Sequence, residues 1–205
     1  PAMAGITHRI AAFVRQCIWP HVHISIDLHS GGEVARFAHW AGFFTCDDAE
    51  LNERREQMAR WFGTRIVMSG PNTPPDGVSR GLYNEADDLG KFSIGTELGF
   101  GSSADVGGVR EARQGVLAAA IHHGQLRGTI QPIGHHAAGT QSLVRGGTSV
   151  MAPYPGHYEP LIDCGETVAQ GQTVGLLHDF YRLDEEPFEV TAAMAGIVVA
   201  QAWGA

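Results

Sequence analysis

Two short segments combine side chains that could do chemistry. Asp27-Leu-His29 precedes Ser30-Gly-Gly32 and closes a run in which Val22, Ile24, Ile26 and Leu28 alternate with His23, Ser25, Asp27 and His29. Strict alternation predicts a strand with one apolar and one polar face, so Asp27 and His29 share a face at its carboxyl end. Ligands of open α/β sheets bind beyond such ends. A histidine placed there can hold zinc, and a neighbouring carboxylate can orient its ring. A strand-end histidine that only caps a loop is the plainer alternative. His23 lies on the same face roughly 20 Å back at strand rise, too far to share a metal with His29, and reads as structural or exposed.

The second segment is Thr96-Glu97-Leu98. Phe92, Ile94, Thr96 and Leu98 alternate with Ser93, Gly95 and Glu97, and Gly99-Phe-Gly101 ends the run. Glu97 therefore turns away from the apolar face, with Gly95 and Gly99 leaving space on its own side. A carboxylate aimed into a metal-bearing crevice can take the proton of a bound water. Standing alone, it would be a solvated strand-end glutamate. Ser69–Gly81 is a loop by composition and holds Arg80, which could meet a substrate carboxylate through a bidentate contact or stand exposed. Gly99–Ala104 fits the G-x-G-x-x-A dinucleotide pattern only loosely, because Gly107-Gly108 interrupts the helix that should follow and no acidic residue comes about 20 residues on. The phosphate-loop, H-E-x-x-H and G-x-S-x-G patterns are missing. Adjacent histidines, His122-His123 and His135-His136, point apart on any regular element.

These residues need a frame. Ile6, Ile10, Phe13, Val14 and Cys17 predict a helix over residues 6–18, closed by Pro20. A helix follows Asp47/Asp48 over residues 48–62, with Glu50–Arg54 and Glu56–Arg60 four apart. Ile66–Met68 is a short strand, and Leu82–Leu89 a helix stopped by Gly90. Residues 109–123 form a helix with Val109, Ala112, Val116, Ala120 and Ile121 on one face and Gly124 as the stop. Alternating strands and helices predict a layered α/β domain over residues 1–128. Beyond Gly128, short β-like runs between Gly and Pro predict a small all-β domain over residues 129–205.

Composition narrows the function classes. Of 205 residues, 14 are Lys or Arg and 22 Asp or Glu, a net charge of −8 without a basic run. That balance speaks against nucleic acid and an anionic membrane as partners. Three cysteines, Cys17, Cys46 and Cys164, are an odd set with no C-x-x-C. This opposes a disulfide scaffold and a cysteine zinc site, and points to a reducing, cytoplasmic setting. No apolar run nears the roughly 20 residues of a membrane span. The chain opens on Pro1 and stops just after a strand-like run, so a fragment cut at both ends is expected.

Ile26-Asp-Leu-His-Ser-Gly-Gly32 and Thr96-Glu-Leu-Gly-Phe-Gly101 together resemble the succinylglutamate desuccinylase/aspartoacylase family, and most nearly its N-acetyl-diaminobutyrate deacetylase branch. There a D-L-H-S-G-G segment is followed by G-x-x-x-E-A, here Gly81–Ala86, and by a T-E-L-G-G strand, here Thr96–Gly99 with Phe100 in place of the last glycine. The resemblance implies a carboxypeptidase-like mixed sheet with flanking helices, present in part. It implies one zinc per chain with His29 as third ligand, Glu97 as general base and an N-acyl amino acid as substrate. The family's first two ligands lie in an upstream H-x-x-E segment, with the Arg and Asn that grip substrate, and none of these is in this sequence. Gly165–Gly175 and Ala193–Val198 resemble the barrel-sandwich domain of these enzymes, similar to biotinyl domains. The chain's only lysine, Lys91, lies outside that tail, so a carrier role is excluded and packing or homo-oligomer contacts remain. A zinc-dependent deacylase is therefore expected. A non-catalytic chain of the same fold and, more remotely, a dinucleotide oxidoreductase are the alternatives.

Overall fold

A computed structural model describes residues 5–73, 81–101 and 103–202. Its centre is a five-stranded sheet built from β1 (Ile24–His29), β3 (Trp40–Thr45), β4 (Ile66–Pro71), β5 (Phe92–Glu97) and β6 (Ser142–Arg145), in the order β1-β5-β3-β4-β6. β1 and β5 run parallel, β5 and β3 antiparallel, and β3, β4 and β6 parallel. The carboxyl ends of β1 and β5 thus share one sheet edge, opposite the carboxyl ends of the other three.

Three helices cover the sheet. α2 (Ala49–Arg60) starts at Asp48, whose carboxylate accepts the amide of Leu51, and its predicted Glu56–Arg60 pair forms at 2.7 Å. With α4 (Val106–His122) it buries Phe43, Met58, Trp61, Phe62, Val67 and Ile94. α3 (Leu82–Asp88) lies over β1 and β5, and Gly90 stops it with φ of 68°. At the chain's start, α1 (Ile6–Phe13) runs on as a π-helical turn at Val14–Ile18 and a 3-10 turn through Pro20. Trp19 Nε1 and Arg15 both reach Glu85 of α3, so the glutamate of the G-x-x-x-E-A segment anchors the entry of the chain. Among the described residues nothing buries the apolar face of α1.

Three departures from the sequence reading have physical causes. β3, the middle strand, carries an unbroken apolar run, Trp40-Ala-Gly-Phe-Phe44, because both its faces are covered, and such a strand has no alternation to read. α4 begins three residues before the predicted helix and buries Gly108, Gly115, Ala118 and Ala119, not the Val109/Val116 face, which stays largely in water. Small residues let its axis approach closely: a side chain at Gly115 would stand 2.5 Å from the Phe62 ring. Third, β6 extends the α/β sheet to Arg145, past residue 128 where the sequence changes character.

The rest of the chain is short antiparallel structure. β7 (His157–Pro160), β9 (Thr173–His178) and β10 (Phe188–Thr191) form one sheet, and β8 (Thr167–Val168) pairs with β11 (Gly196–Ile197). β12 (Ala200–Ala202) pairs with β2 (Ala35–Phe37), which stitches this tail to the segment between β1 and β3. No helix among the described residues is long and apolar enough to cross a membrane.

Candidate active site

β1 and β5 pair residue for residue, Asp27 opposite Gly95 and His29 opposite Glu97. The two side chains singled out on separate strands therefore meet. His29 Nδ1 lies 3.2 Å from Glu97 Oε1. The imidazole is open to solvent, whereas the Glu97 side chain is only 13% exposed. Its second oxygen, Oε2, is buried without a hydrogen-bond partner. Burial pushes the Glu97 carboxyl above its ordinary range; the nearby His29 pulls it back, and the Asp27 charge adds to the rise. The carboxylate that meets the His29 ring is thus Glu97, while Asp27 acts on Glu97 through its charge.

Backbone bonds hold the two strand ends together. Leu98 N donates to His29 O at 2.9 Å, Gly31 N to Gly99 O at 3.2 Å, and Gly101 N to Gly32 O at 2.6 Å. Thr96 Oγ1 bridges to Asp27 O and the His29 amide. A side chain at Gly31 would collide with the Ala35 carbonyl, and Gly99 has φ of 114°, so each glycine is needed where it stands. Gly95 serves a different end from the one its sequence suggests. It does not open space beside Glu97; the Tyr83 ring fills that space, 3.0 Å from where a Cβ would lie, and stacks on Phe44 at 4.1 Å. At the rim, Arg36 lies over the Phe100 ring and pairs with Asp163 of the tail at 3.0 Å.

Other sequence candidates fall elsewhere. Arg80 and most of its loop lie outside the described residues. His23 is exposed. His122 and His123 pack their rings on Trp61 and Phe92, and His135 bonds Thr140. The interrupted dinucleotide helix is in fact continuous. Gly107 and Gly108 form the first turn of α4, and their amides bond the Asp105 carboxylate, which occupies the place a phosphate would need.

The sequence reading missed one cluster. His39 Nδ1 lies 2.7 Å from Glu111 Oε2, and its Nε2 lies 3.5 Å from Asp105 Oδ2. Only Asp105 had a legible signal, as an N-cap before Gly107-Gly108.

A catalytic zinc needs three protein ligands. Among the described residues no group of three His, Cys, Asp or Glu side chains could hold a metal ion. The residues present do not complete a zinc site.

A mixed-sheet α/β protein with a histidine–carboxylate pair at one sheet edge is the class these observations define. Its fold matches that of a succinylglutamate desuccinylase/aspartoacylase from Rhodobacter sphaeroides with a TM-score of 0.85, at 28% identity, over 98% of this chain and 60% of that one. A product-bound structure of the ectoine utilization protein EutE (DoeB) from Ruegeria pomeroyi gives 0.83 at 23% identity, over 99% of this chain and 60% of that one. In sequence, the chain is 24% identical to an N-alpha-acetyl-L-2,4-diaminobutyric acid deacetylase from Halomonas elongata over 198 residues, 96% of this chain and 56% of the relative. No family model matches the chain. The chain is thus similar in fold and sequence to proteins of the succinylglutamate desuccinylase/aspartoacylase family. It spans 56% of the length of its curated relative and 60% of these two solved chains.

Proposed function

We propose that the protein hydrolyses the amide bond of an N-acyl amino acid, with Glu97 as the general base. The observation that carries this reading is the Glu97 carboxylate: in register with His29, largely buried, with Oε2 unpartnered and its proton affinity raised by burial. A carboxylate poised in this way accepts a proton from water and returns it to a leaving amine. The Halomonas relative supports an N-acetyl-diaminobutyrate-like substrate. Arg80 is proposed to grip the substrate carboxylate. The finer architecture is read as part of a carboxypeptidase-like layer that runs through β6 to Arg145, followed by a barrel-sandwich tail free of a carrier lysine.

His29 would supply one ligand to the zinc that the family resemblance implies. The two others would have to come from polypeptide outside this chain. A second reading has its own support in that shortage of ligands: a non-catalytic chain that keeps the fold. Zinc titration separates the two. The 205-residue chain is expected to bind Zn²⁺ weakly, and the longest encoded form to hold about one ion per chain. Hydrolysis of N-acetyl-diaminobutyrate by that form, lost in Glu97→Gln, supports the enzyme. A longest form without stoichiometric zinc or hydrolysis favours the non-catalytic module.

A further inference from the structure

His39 stands immediately before β3, and the next residue, Trp40, is paired in register with Glu97. Its ring lies between three parts of the site's support. Glu111, one turn into α4, meets Nδ1 at 2.7 Å, and Asp105, the N-cap of α4, lies 3.5 Å from Nε2. The third side is the turn that follows Glu97: a Cβ at Gly99 would be 3.9 Å from His39 Nε2, and one at Gly107 would be 3.6 Å from Cε1. At Gly108 a Cβ would be 2.6 Å from the Leu98 carbonyl oxygen, so the first turn of α4 presses directly on the residue after Glu97. The Glu111 and His39 side chains are 17% and 24% exposed, so their ion pair is partly withdrawn from water, where it is stronger than a surface pair.

We propose that His39 is a positioning residue: by bridging Glu111 and Asp105 it clamps α4 against the Leu98–Gly101 turn and so fixes the Glu97 carboxylate beside His29. The catalytic part of this inference rests on the function proposed above; the clamp itself does not. The clamp needs the imidazolium: Nδ1–H donates to Glu111, and only the charged ring attracts the Asp105 carboxylate 3.5 Å from Nε2. The charged groups facing the ring are Glu111 and Asp105, both from α4, while the β5 side presents Gly99. The Glu111 hydrogen bond holds His39 above its ordinary range, against the opposing effect of burial. The clamp is therefore complete at pH below the unfolded value and loosens as pH rises through the raised folded one.

Amide hydrogen exchange of the 205-residue chain tests the clamp. The probes are Gly31, Leu98 and Gly101, which donate the three bonds between the strand-end turns, with β4 and β6 amides as internal reference. Wild-type protection at the three probes should fall as pH rises through the His39 titration while the reference stays constant. His39→Gln and, as a second variant, Glu111→Gln should each lower probe protection about tenfold or more and abolish the pH step. Unchanged probe protection in both folded variants overturns the proposal, as does an equal loss at probes and reference, which would mark His39 as a general stabiliser. If the longest encoded form hydrolyses N-acyl amino acids, His39→Gln should lower kcat with KM unchanged. If it does not, the enzyme reading fails while the exchange result still decides the clamp.

Discussion

His29 and Glu97 face each other across two parallel strands, with Nδ1 of one 3.2 Å from Oε1 of the other. The contact joins an imidazole open to solvent to a carboxylate that is nearly closed off from it. Glu97 thus spends one oxygen on His29 and leaves the other buried with no partner. A buried polar atom without a hydrogen bond costs free energy, and it leaves this oxygen able to accept from a bound water or ligand. That relationship ties the proposed chemistry to the strand register.

The pH dependence of stability follows from the sign of the Glu97 shift. A folded-state pKa above the unfolded one means that the folded protein binds the proton more tightly, so the charged form opposes folding. This opposition is absent at acid pH and grows as pH rises through the unfolded value. Glu97→Gln should therefore leave thermal stability unchanged near pH 3 and raise it slightly at pH 8. Melting curves at the two pH values check this; equal destabilisation at both would mean that the carboxylate is a structural partner.

Arg55 of α2 is buried. It donates to the carbonyls of Phe44 and Lys91 and pairs with Asp87 of α3 at 3.0 Å. Replacing it with Met takes the cation from a largely buried carboxylate, which keeps the Asn72 amide as a donor, and removes a donor from two carbonyls. We expect a loss of about 3–5 kcal/mol, the range for removing one partner of a buried pair. Urea unfolding checks it. A loss below 1 kcal/mol would mean that water reaches Asp87.

Gly115→Ala sets helix propensity against packing. Alanine gains about 1 kcal/mol in a helix interior. Its methyl would enter the ring of fully buried Phe62, and overpacking costs about 1–3 kcal/mol. We expect net destabilisation, seen as a lower melting temperature. An increase would show that Phe62 can shift without cost.

The legible parts of the fold are those whose sequence alternates. β1 and β5 each set an apolar face against a polar one, so the places of Asp27, His29 and Glu97 at strand ends are legible in the sequence. The register that joins His29 to Glu97 spans 68 residues and has no local signal. β3 was hidden because a strand covered on both faces loses its period. The packing face of α4 was hidden because close approach to Phe62 selects glycine and alanine over the larger Val109 and Val116. His39 and Glu111 lie 72 residues apart in chain segments with no shared motif, so only the fold brings them together.

The most direct test of the account is the hydrolysis rate of N-acetyl-diaminobutyrate by the longest encoded form of the protein, wild type against Glu97→Gln, with zinc content measured on the same samples. Glutamine keeps the size of the side chain but cannot accept the proton of water. With zinc content equal, kcat should fall by about 10²–10⁴-fold, the usual worth of a positioned general base. A kcat near that of the wild type at equal zinc content would contradict the account and place the base at another residue.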